Sequence, residues 1–208
     1  MVAPVHDDTT PISKGFDNRA FWDQRYRDNL ALGSGIGSRG KNVHNKRTVI
    51  ARFLDAVGPH SILDVGCGDH EVISGIETSA QYHGIDISPA IVEINRTRYP
   101  GKRFTCVDFS ALDDVAEYAS DAVISFEVLI HQHTREAYDN LLRNIVRATR
   151  HAGLISGYLT DPIPTTRSDI IAWHEPITTS LEKAGATNIE ICGRSLNSEH
   201  IVFVAFRR

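Results

Sequence analysis

The chain of 208 residues has few cysteines, no long apolar run and no excess of positive charge. Its three cysteines, Cys67, Cys106 and Cys192, are widely spaced without a C-x-x-C pair, which argues against a disulfide framework or a zinc knuckle. No stretch approaches the roughly 18 apolar residues of a membrane helix, and residues 1–14 lack the apolar core of a signal peptide. These absences predict a cytoplasmic protein with reduced thiols and no membrane partner.

The charge balance argues against nucleic acid as a partner. A net charge of −4 and a pI of about 6.2 provide no broad cationic field for a phosphate backbone. A small-molecule partner is therefore favoured. The composition, 41% apolar and 23% charged, is that of a globular protein whose length supports one substantial core.

The chain divides into three segments. Residues 1–20, with prolines and aspartates, predict a flexible tail. Residues 21–44 combine an aromatic helical segment from Phe21 to Tyr26 with a stretch from Gly33 to Gly40 that is too glycine-rich for a helix. The main domain spans residues 45–208. A basic cluster at this junction is typical of a solvated helix start, and its members are Arg39, Lys41, Lys46 and Arg47.

The main domain alternates apolar, β-rich runs with helical patterns, which predicts an α/β fold. Ser88-Pro89 and Thr134 provide clear helix starts. The alternation predicts a Rossmann-like, doubly wound sheet, mostly parallel, with helices on both faces and a ligand site at the carboxyl ends of its strands. The predicted strands are residues 62–65, 82–87, 104–107, 122–126, 154–159, 189–192 and 201–206.

Three features at successive strand ends indicate a nucleotide-like ligand. The first predicted strand enters a tight turn with Gly66 and Gly68, where the missing Cβ atoms let a ligand approach the backbone. Asp86 ends the second strand, eighteen residues beyond Gly68, and its carboxylate can accept hydrogen bonds from both ribose hydroxyls. Asp108 ends the third strand and can accept a hydrogen bond from an adenine amino group.

Together these residues resemble the class I S-adenosylmethionine-dependent methyltransferases, among them small bacterial O-methyltransferases. The resemblance covers roughly residue 45 to the C-terminus and implies a seven-stranded sheet with an antiparallel C-terminal strand. It implies that the glycine turn holds the methionine part of S-adenosyl-L-methionine, that Asp86 holds the ribose and that Asp108 holds the adenine. The cofactor-binding residues implied in the main domain are Asp64, Gly66, Cys67, Gly68, Asp86, Ile87, Asp108, Phe109 and Phe126.

The glycine-rich segment also resembles a lid that some small methyltransferases fold over their cofactor. Arg25 and Tyr26 are then candidates to contact the cofactor carboxylate, the alternative being a structural helix followed by a linker. One position departs from the family pattern, because His70 stands where a third glycine is common. Glu71 stands where a dinucleotide-binding turn prefers glycine, which argues against a nicotinamide cofactor.

The catalytic candidates Glu127, His131 and His133 lie where the fourth strand gives way to the next loop. Methyl transfer to a hydroxyl requires alignment of the nucleophile and usually removal of its proton, a task that suits an imidazole. His131 is the first choice for this base and His133 the second. The structural alternative is that one histidine packs against the cofactor while the other is exposed to solvent.

Acceptor-binding candidates follow the fifth strand, where loops of this fold form the acceptor pocket. Asp161 with Glu127, His131 or His174 could hold a divalent cation such as Mg²⁺, although a site without metal is the favoured interpretation. Trp173 suits a sugar platform or, equally, a core position. The candidates are Tyr158, Asp161, Trp173, His174 and Glu175.

The sequence favours O-methylation of a hydroxyl on a small acceptor, with a sugar, oligosaccharide or glycoside preferred over a phenol. The fourth strand lacks the Asn/Asp-Pro-Pro-aromatic motif used on exocyclic base nitrogens, and 16 aromatic residues argue weakly against an aromatic cage. The alternatives are a catalytically inactive binding protein of the same fold, or a methyltransferase for another small molecule, a protein or RNA. A homodimer is compatible with the sequence.

Overall fold

The computed structural model describes residues 16–31, 33–160 and 174–208. Within them, seven strands form one sheet in the spatial order β3-β2-β1-β4-β5-β7-β6. Each strand coincides with one of the predicted apolar runs. The strands are β1 (Ser61–Val65), β2 (Gln81–Asp86), β3 (Arg103–Cys106), β4 (Ser120–Ser125), β5 (Thr149–Tyr158), β6 (Thr187–Arg194) and β7 (Ile201–Arg207).

The sheet is mixed in the way the sequence predicts. Strands β1 to β5 pair in parallel, whereas β7 runs antiparallel between β5 and β6. The order reverses between β1 and β4, and in such open sheets ligands bind in the crevice at this switch point. The doubly wound, Rossmann-like fold is confirmed, and its crevice lies at the carboxyl ends of β1, β2 and β4.

Two helices begin at the capping residues that the sequence predicts. The Ser88 hydroxyl accepts a hydrogen bond from Ile91 N (3.3 Å) ahead of Pro89, and the Thr134 hydroxyl accepts one from Ala137 N (3.1 Å). Among the described residues, no helix has the length and apolar character needed to cross a membrane. The helices are α1 (Asn18–Asp28), α2 (Gly40–Val57), α3 (Glu71–Ser74), α4 (Pro89–Arg98), α5 (Arg135–Ala148) and α6 (Ile177–Lys183).

Two apolar clusters cover the two faces of the sheet. Because side chains alternate along a strand, Leu63 of β1 packs with Tyr138 and Ile145 of α5, whereas its neighbour Ile62 packs with Ile50 of α2 on the other face. All of these side chains are buried. The packing fixes β1 between the two layers and thereby holds the turn that follows it.

Three predicted boundaries were wrong. Helix α1 begins at Asn18 rather than at residue 21, because Asp17 caps it by accepting from Ala20 N (3.0 Å), and residues 1–15 of the predicted tail lie outside the described residues. Helix α2 begins at Gly40, so residues 40–44 belong to it rather than to the glycine-rich loop. Strand β5 begins five residues early, because Thr149 already pairs with Ser120 of β4.

Candidate active site

The turn after β1 has a backbone that requires glycine. Gly66 and Gly68 have φ angles of 73° and 50°, in the region that side chains rarely adopt. A Cβ atom on Gly66 would collide with Val128, and one on Gly68 would collide with the Ser34 hydroxyl. The amides of Gly66 and Cys67 both donate to Ile85 O at 2.8 and 2.9 Å, which ties the turn to β2.

A cavity of about 280 Å³ opens above this turn at the carboxyl ends of β1, β2 and β4. It extends beneath α1 and along the loop after β4. The structure thus gathers residues from across the chain into one site. The predicted cofactor residues that line it are Tyr26, Asp64, Gly66, Cys67, Asp86, Ile87, Asp108, Phe109 and Phe126.

Two buried carboxyl groups form part of the cavity wall. Asp86 accepts hydrogen bonds from Gly68 N and Ser88 N, both at 2.9 Å, and Asp64 accepts one from the Tyr82 hydroxyl at 2.8 Å. Burial raises the pKa of Asp64 to about 7 and that of Asp86 to about 6, although these hydrogen bonds oppose the shift. This wall suits a ligand that carries hydroxyl groups or a positive charge.

Asp108 and Phe109 shape the end of the cavity beside β3. Asp108 caps a 3-10 turn at Phe109–Ala111 by accepting from Ser110 N (3.0 Å) and Ser110 Oγ (2.6 Å). Asn144 of α5 holds this loop by donating to Phe109 O (2.8 Å) and Leu112 O (2.9 Å). The sequence predicted Asp108 and Phe109 but missed Asn144, which lies within an otherwise ordinary helix.

Helix α1 lies across the cavity as a cover. Its Asp23 carboxylate accepts from Ser88 Oγ (2.9 Å) and Ala90 N (2.8 Å) at the start of α4. On the opposite side, Asn18 Nδ2 donates to His131 O (3.1 Å) in the loop after β4. These contacts attach α1 to both sides of the cavity and place Trp22 in its lining.

The glycine-rich loop after α1 closes against the glycine turn. Ser34 Oγ lies 3.0 Å from Asp69 Oδ1 and 3.1 Å from the Tyr26 hydroxyl, and Arg39 forms an ion pair with Asp69. Although burial alone would raise the pKa of Asp69, these hydrogen bonds and the Arg39 charge lower it. Arg25 instead donates to Gly33 O (3.3 Å) and so stabilises the loop itself.

Glu127 is held at the end of β4 by a buried lysine. Its backbone has a positive φ of 59°, and its amide donates to Ser156 Oγ at 2.6 Å. Lys46 of α2, only 1% exposed, places Nζ 2.9 Å from Glu127 Oε1. Burial lowers the pKa of Lys46, and the nearby Glu127 opposes that shift. Glu127 thus contributes a fixed carboxylate to the cavity lining.

His131 and His133 line the same cavity, beside aromatic side chains of the N-terminal segment. The His133 ring stacks on Phe16 with 3.9 Å between ring centroids, and His131 lies edge-on to Trp22 at 5.0 Å. The structure therefore brings the three predicted catalytic residues, Glu127 and both histidines, to one cavity.

The described acceptor candidates form a group separate from the cavity lining. Tyr158 and His174 stack on each other at 3.9 Å, and burial raises the pKa of Tyr158 to about 12. Glu175 accepts from Lys183 Nζ (2.7 Å) and Ser180 Oγ (2.9 Å) of α6. Asp161 and Trp173 lie outside the described residues. Across the ranges that the structure describes, no three His, Cys, Asp or Glu side chains are grouped to hold a metal ion.

His70 occupies the position of the usual third glycine by adopting a glycine-like backbone. Its φ is 64°, and its side chain is fully buried. The ring packs edge-on against Tyr99 at 4.5 Å and Phe104 at 5.4 Å rather than lining the cavity. Burial lowers the pKa of His70 to about 4, with nearby Lys102 acting in the same direction, so the imidazole is neutral.

Residues 62–153, which contain β1 to β4 and the glycine turn, match the family model of a methyltransferase domain. These residues form a methyltransferase domain. No curated protein matches its sequence significantly.

Solved structures show how widely this methyltransferase shares its fold. Magnesium protoporphyrin IX methyltransferase from Synechocystis PCC 6803, with bound S-adenosylmethionine, is 18% identical over 94% of this chain and 99% of its own, with a TM-score of 0.65. The 1,6-didemethyltoxoflavin-N1-methyltransferase from Burkholderia thailandensis, with bound 1,6-didemethyltoxoflavin and S-adenosylhomocysteine, is 17% identical over 99% of this chain and 98% of its own, with a TM-score of 0.66. A TehB-like methyltransferase from Corynebacterium glutamicum is 21% identical over 90% and 96%, with a TM-score of 0.61.

Proposed function

We propose that this methyltransferase transfers the methyl group of S-adenosyl-L-methionine to a hydroxyl group of a small acceptor. The observation that carries the proposal is the single cavity in which the glycine turn meets Glu127, His131 and His133. A turn suited to the methyl donor and groups able to accept a proton thus line the same cavity, as an in-line transfer requires.

The residues of the cavity fit the cofactor. The turn at Gly66 and Gly68 leaves no room for Cβ atoms, and the buried acids Asp64 and Asp86 favour a ligand with positive charge and hydroxyl groups. We assign Asp108 to the adenine. When bound, S-adenosylmethionine supplies the activated methyl group. The residues of this chain hold that donor, exclude water beneath α1 and position the acceptor.

We assign His131 as the base that takes the proton of the acceptor hydroxyl, with His133 as the second candidate. An imidazole can accept a proton near neutral pH. In the His131→Ala variant we expect turnover to fall about 10²- to 10⁴-fold while S-adenosylhomocysteine still binds. The exposed His44 gives a matched His44→Ala control. Unchanged turnover in His131→Ala would remove this assignment.

A sugar or glycoside is the leading acceptor, because Glu127, His131 and Thr134 offer polar groups around the cavity. A flat aromatic acceptor is a second candidate, favoured by the wall that Phe16, Trp22 and His133 form. Although the chain has few aromatic residues, the structure concentrates several of them here.

The acceptor test is methyl transfer from labelled S-adenosylmethionine to separate panels of oligosaccharides, phenols, amines and thiols. Transfer to hydroxyl compounds is expected, and the preferred panel distinguishes the two candidates. Transfer to amines or thiols alone would refute O-methylation. Failure of both S-adenosylmethionine and S-adenosylhomocysteine to bind in calorimetry would instead favour an inactive binding protein, and retention on RNA at physiological salt would favour an RNA methyltransferase.

A further inference from the structure

Behind the cavity wall, three buried polar side chains form a continuous chain. The Tyr82 hydroxyl of β2 lies 2.8 Å from Asp64 Oδ2, and His70 Nδ1 lies 3.1 Å from the same hydroxyl. All three side chains are buried, and only Asp64 reaches the cavity. Gly84 leaves room for the Tyr82 hydroxyl, because a Cβ atom there would lie 2.8 Å from it.

The direction of these hydrogen bonds follows from the number of protons. Tyr82 has one hydroxyl proton, which it donates when Asp64 is ionised, so its oxygen accepts from His70 Nδ1–H. The neutral imidazole carries one proton, and placing it on Nδ1 agrees with His70 Nε2, which is buried without a hydrogen-bond partner among the described residues. The chain therefore delivers hydrogen-bond donors towards Asp64 and favours its carboxylate form.

We propose that His70 and Tyr82 are positioning residues for the cofactor, holding Asp64 as a carboxylate that binds the ammonium group of the methionine part. This inference rests on the proposed function. It assigns a role to His70, which stands where the family commonly has a third glycine. His70 acts on the cofactor through Tyr82 rather than by touching it.

The charges around Asp64 set the direction of the pH dependence. Asp86 on β2 adds negative charge beside Asp64, and Asp69 in turn acts on Asp86, whereas Lys102 lies over the Tyr82 ring at 5.0 Å. Burial and Asp86 raise the pKa of Asp64 to about 7, and the Tyr82 hydrogen bond lowers it. Above that pH the group is ionised and attracts a cation. Binding of the ammonium group should therefore weaken as the pH falls through this value.

Calorimetry with S-adenosylhomocysteine tests the inference from about pH 5.5 to about pH 8.5. Tyr82→Phe removes the donor to Asp64, so its pKa should rise and the midpoint of the affinity profile should move up by about one pH unit. A one-unit shift from about 7 lowers the ionised fraction at pH 7 roughly fivefold, with a matching loss of affinity that is recovered at alkaline pH.

Two substitutions of His70 form a matched pair. Asparagine and glycine both tolerate the positive φ at this position, but only asparagine keeps a donor at the place of Nδ1. His70→Asn should therefore retain the wild-type midpoint, whereas His70→Gly should shift it upwards. This pair also keeps the test available if Tyr82→Phe does not fold.

Control variants separate positioning from general structural damage. His83 on β2 is another buried histidine, but it lies outside the cavity lining and pairs with Thr105 Oγ1 at 2.9 Å. His83→Asn and Tyr138→Phe should lower stability without moving the midpoint. An equal loss of affinity at every pH in Tyr82→Phe, or an unshifted midpoint in both Tyr82→Phe and His70→Gly, would overturn the inference alone. Failure of the wild-type protein to bind at any pH would overturn the proposed function as well.

Discussion

The buried ion pair between Lys46 and Glu127 should be more damaging to break from one side than to remove entirely. The two side chains are only 2% and 17% exposed, with 2.9 Å between Lys46 Nζ and Glu127 Oε1. Glu127→Gln would leave an ammonium group in the interior without its counter-charge, at a cost of about 3–5 kcal/mol in the free energy of unfolding. Lys46→Met should cost about 3 kcal/mol, the lower end of that range, because Glu127 retains some contact with the cavity.

The double variant Lys46→Met/Glu127→Gln should recover much of this loss, because neither charge is left buried alone. Denaturant unfolding of all four proteins gives the coupling energy, which we expect to exceed about 2 kcal/mol. The pair between Lys183 and Glu175, at 2.7 Å with Lys183 56% exposed, is the control and should couple by less than about 1 kcal/mol. Equal coupling in both pairs would refute the reasoning.

The pH gives this prediction a second readout. Removing Glu127 takes away the interaction that opposes the lowered pKa of Lys46, so that pKa should fall further. Between this folded value and the unfolded value of about 10.4, the unfolded chain binds more protons, and stability rises with pH. The loss in Glu127→Gln should therefore be smaller near pH 9 than at pH 7. A loss that does not change with pH would contradict a further lowered pKa of Lys46 in the variant.

Three further substitutions test the turn, the cover and a helix start. Gly68→Ala should weaken S-adenosylhomocysteine binding at least about tenfold in calorimetry, because the positive φ and the Ser34 hydroxyl leave no room for a Cβ atom. Gly101→Ala is the control: its Cβ atom meets open space, so this variant should bind normally. Asp23→Ala removes two hydrogen bonds to α4 and should lower stability by about 1–2 kcal/mol and speed ligand dissociation several-fold in stopped-flow measurements. Thr134→Ala removes the cap of α5 and should lower the free energy of unfolding by about 1 kcal/mol.

The sheet was predictable because its strands differ sharply from their surroundings. Each central strand is an apolar run buried on both faces, and the segments that follow β1 and β2 carry glycine, aspartate or proline. The start of β5 was missed because Arg150 and His151 are exposed where the strand begins. Helix α2 was predicted late because Gly40 and its polar neighbours disfavour a helix locally, whereas burial of Val43 and Lys46 stabilises it.

The sequence predicts those site residues whose positions follow from a local pattern. It does not predict those whose environment depends on a partner distant in the sequence. The glycine turn, Asp86 and Asp108 stand at strand ends in regular spacing, and the structure gathers them in one cavity. Lys46 was interpreted as part of a solvated basic cluster, which was wrong, because its charge is compensated by Glu127 at the end of β4. Such an ion pair depends on the tertiary fold, and no local pattern around Lys46 or Glu127 indicates it.

The His70→Gly variant tests whether His70 impairs the cofactor site, as expected of a catalytically inactive protein of this fold. If His70 had displaced a glycine needed for the cofactor, restoring glycine should strengthen S-adenosylhomocysteine binding. The structure predicts the opposite, because the ring points away from the cavity to Tyr82, Tyr99 and Phe104. The substitution to glycine would relieve about 1 kcal/mol of backbone strain at the positive φ. It would also remove the buried imidazole ring and its packing, so the free energy of unfolding should fall by about 1–3 kcal/mol in total. Tighter binding in this variant would show that His70 obstructs the site.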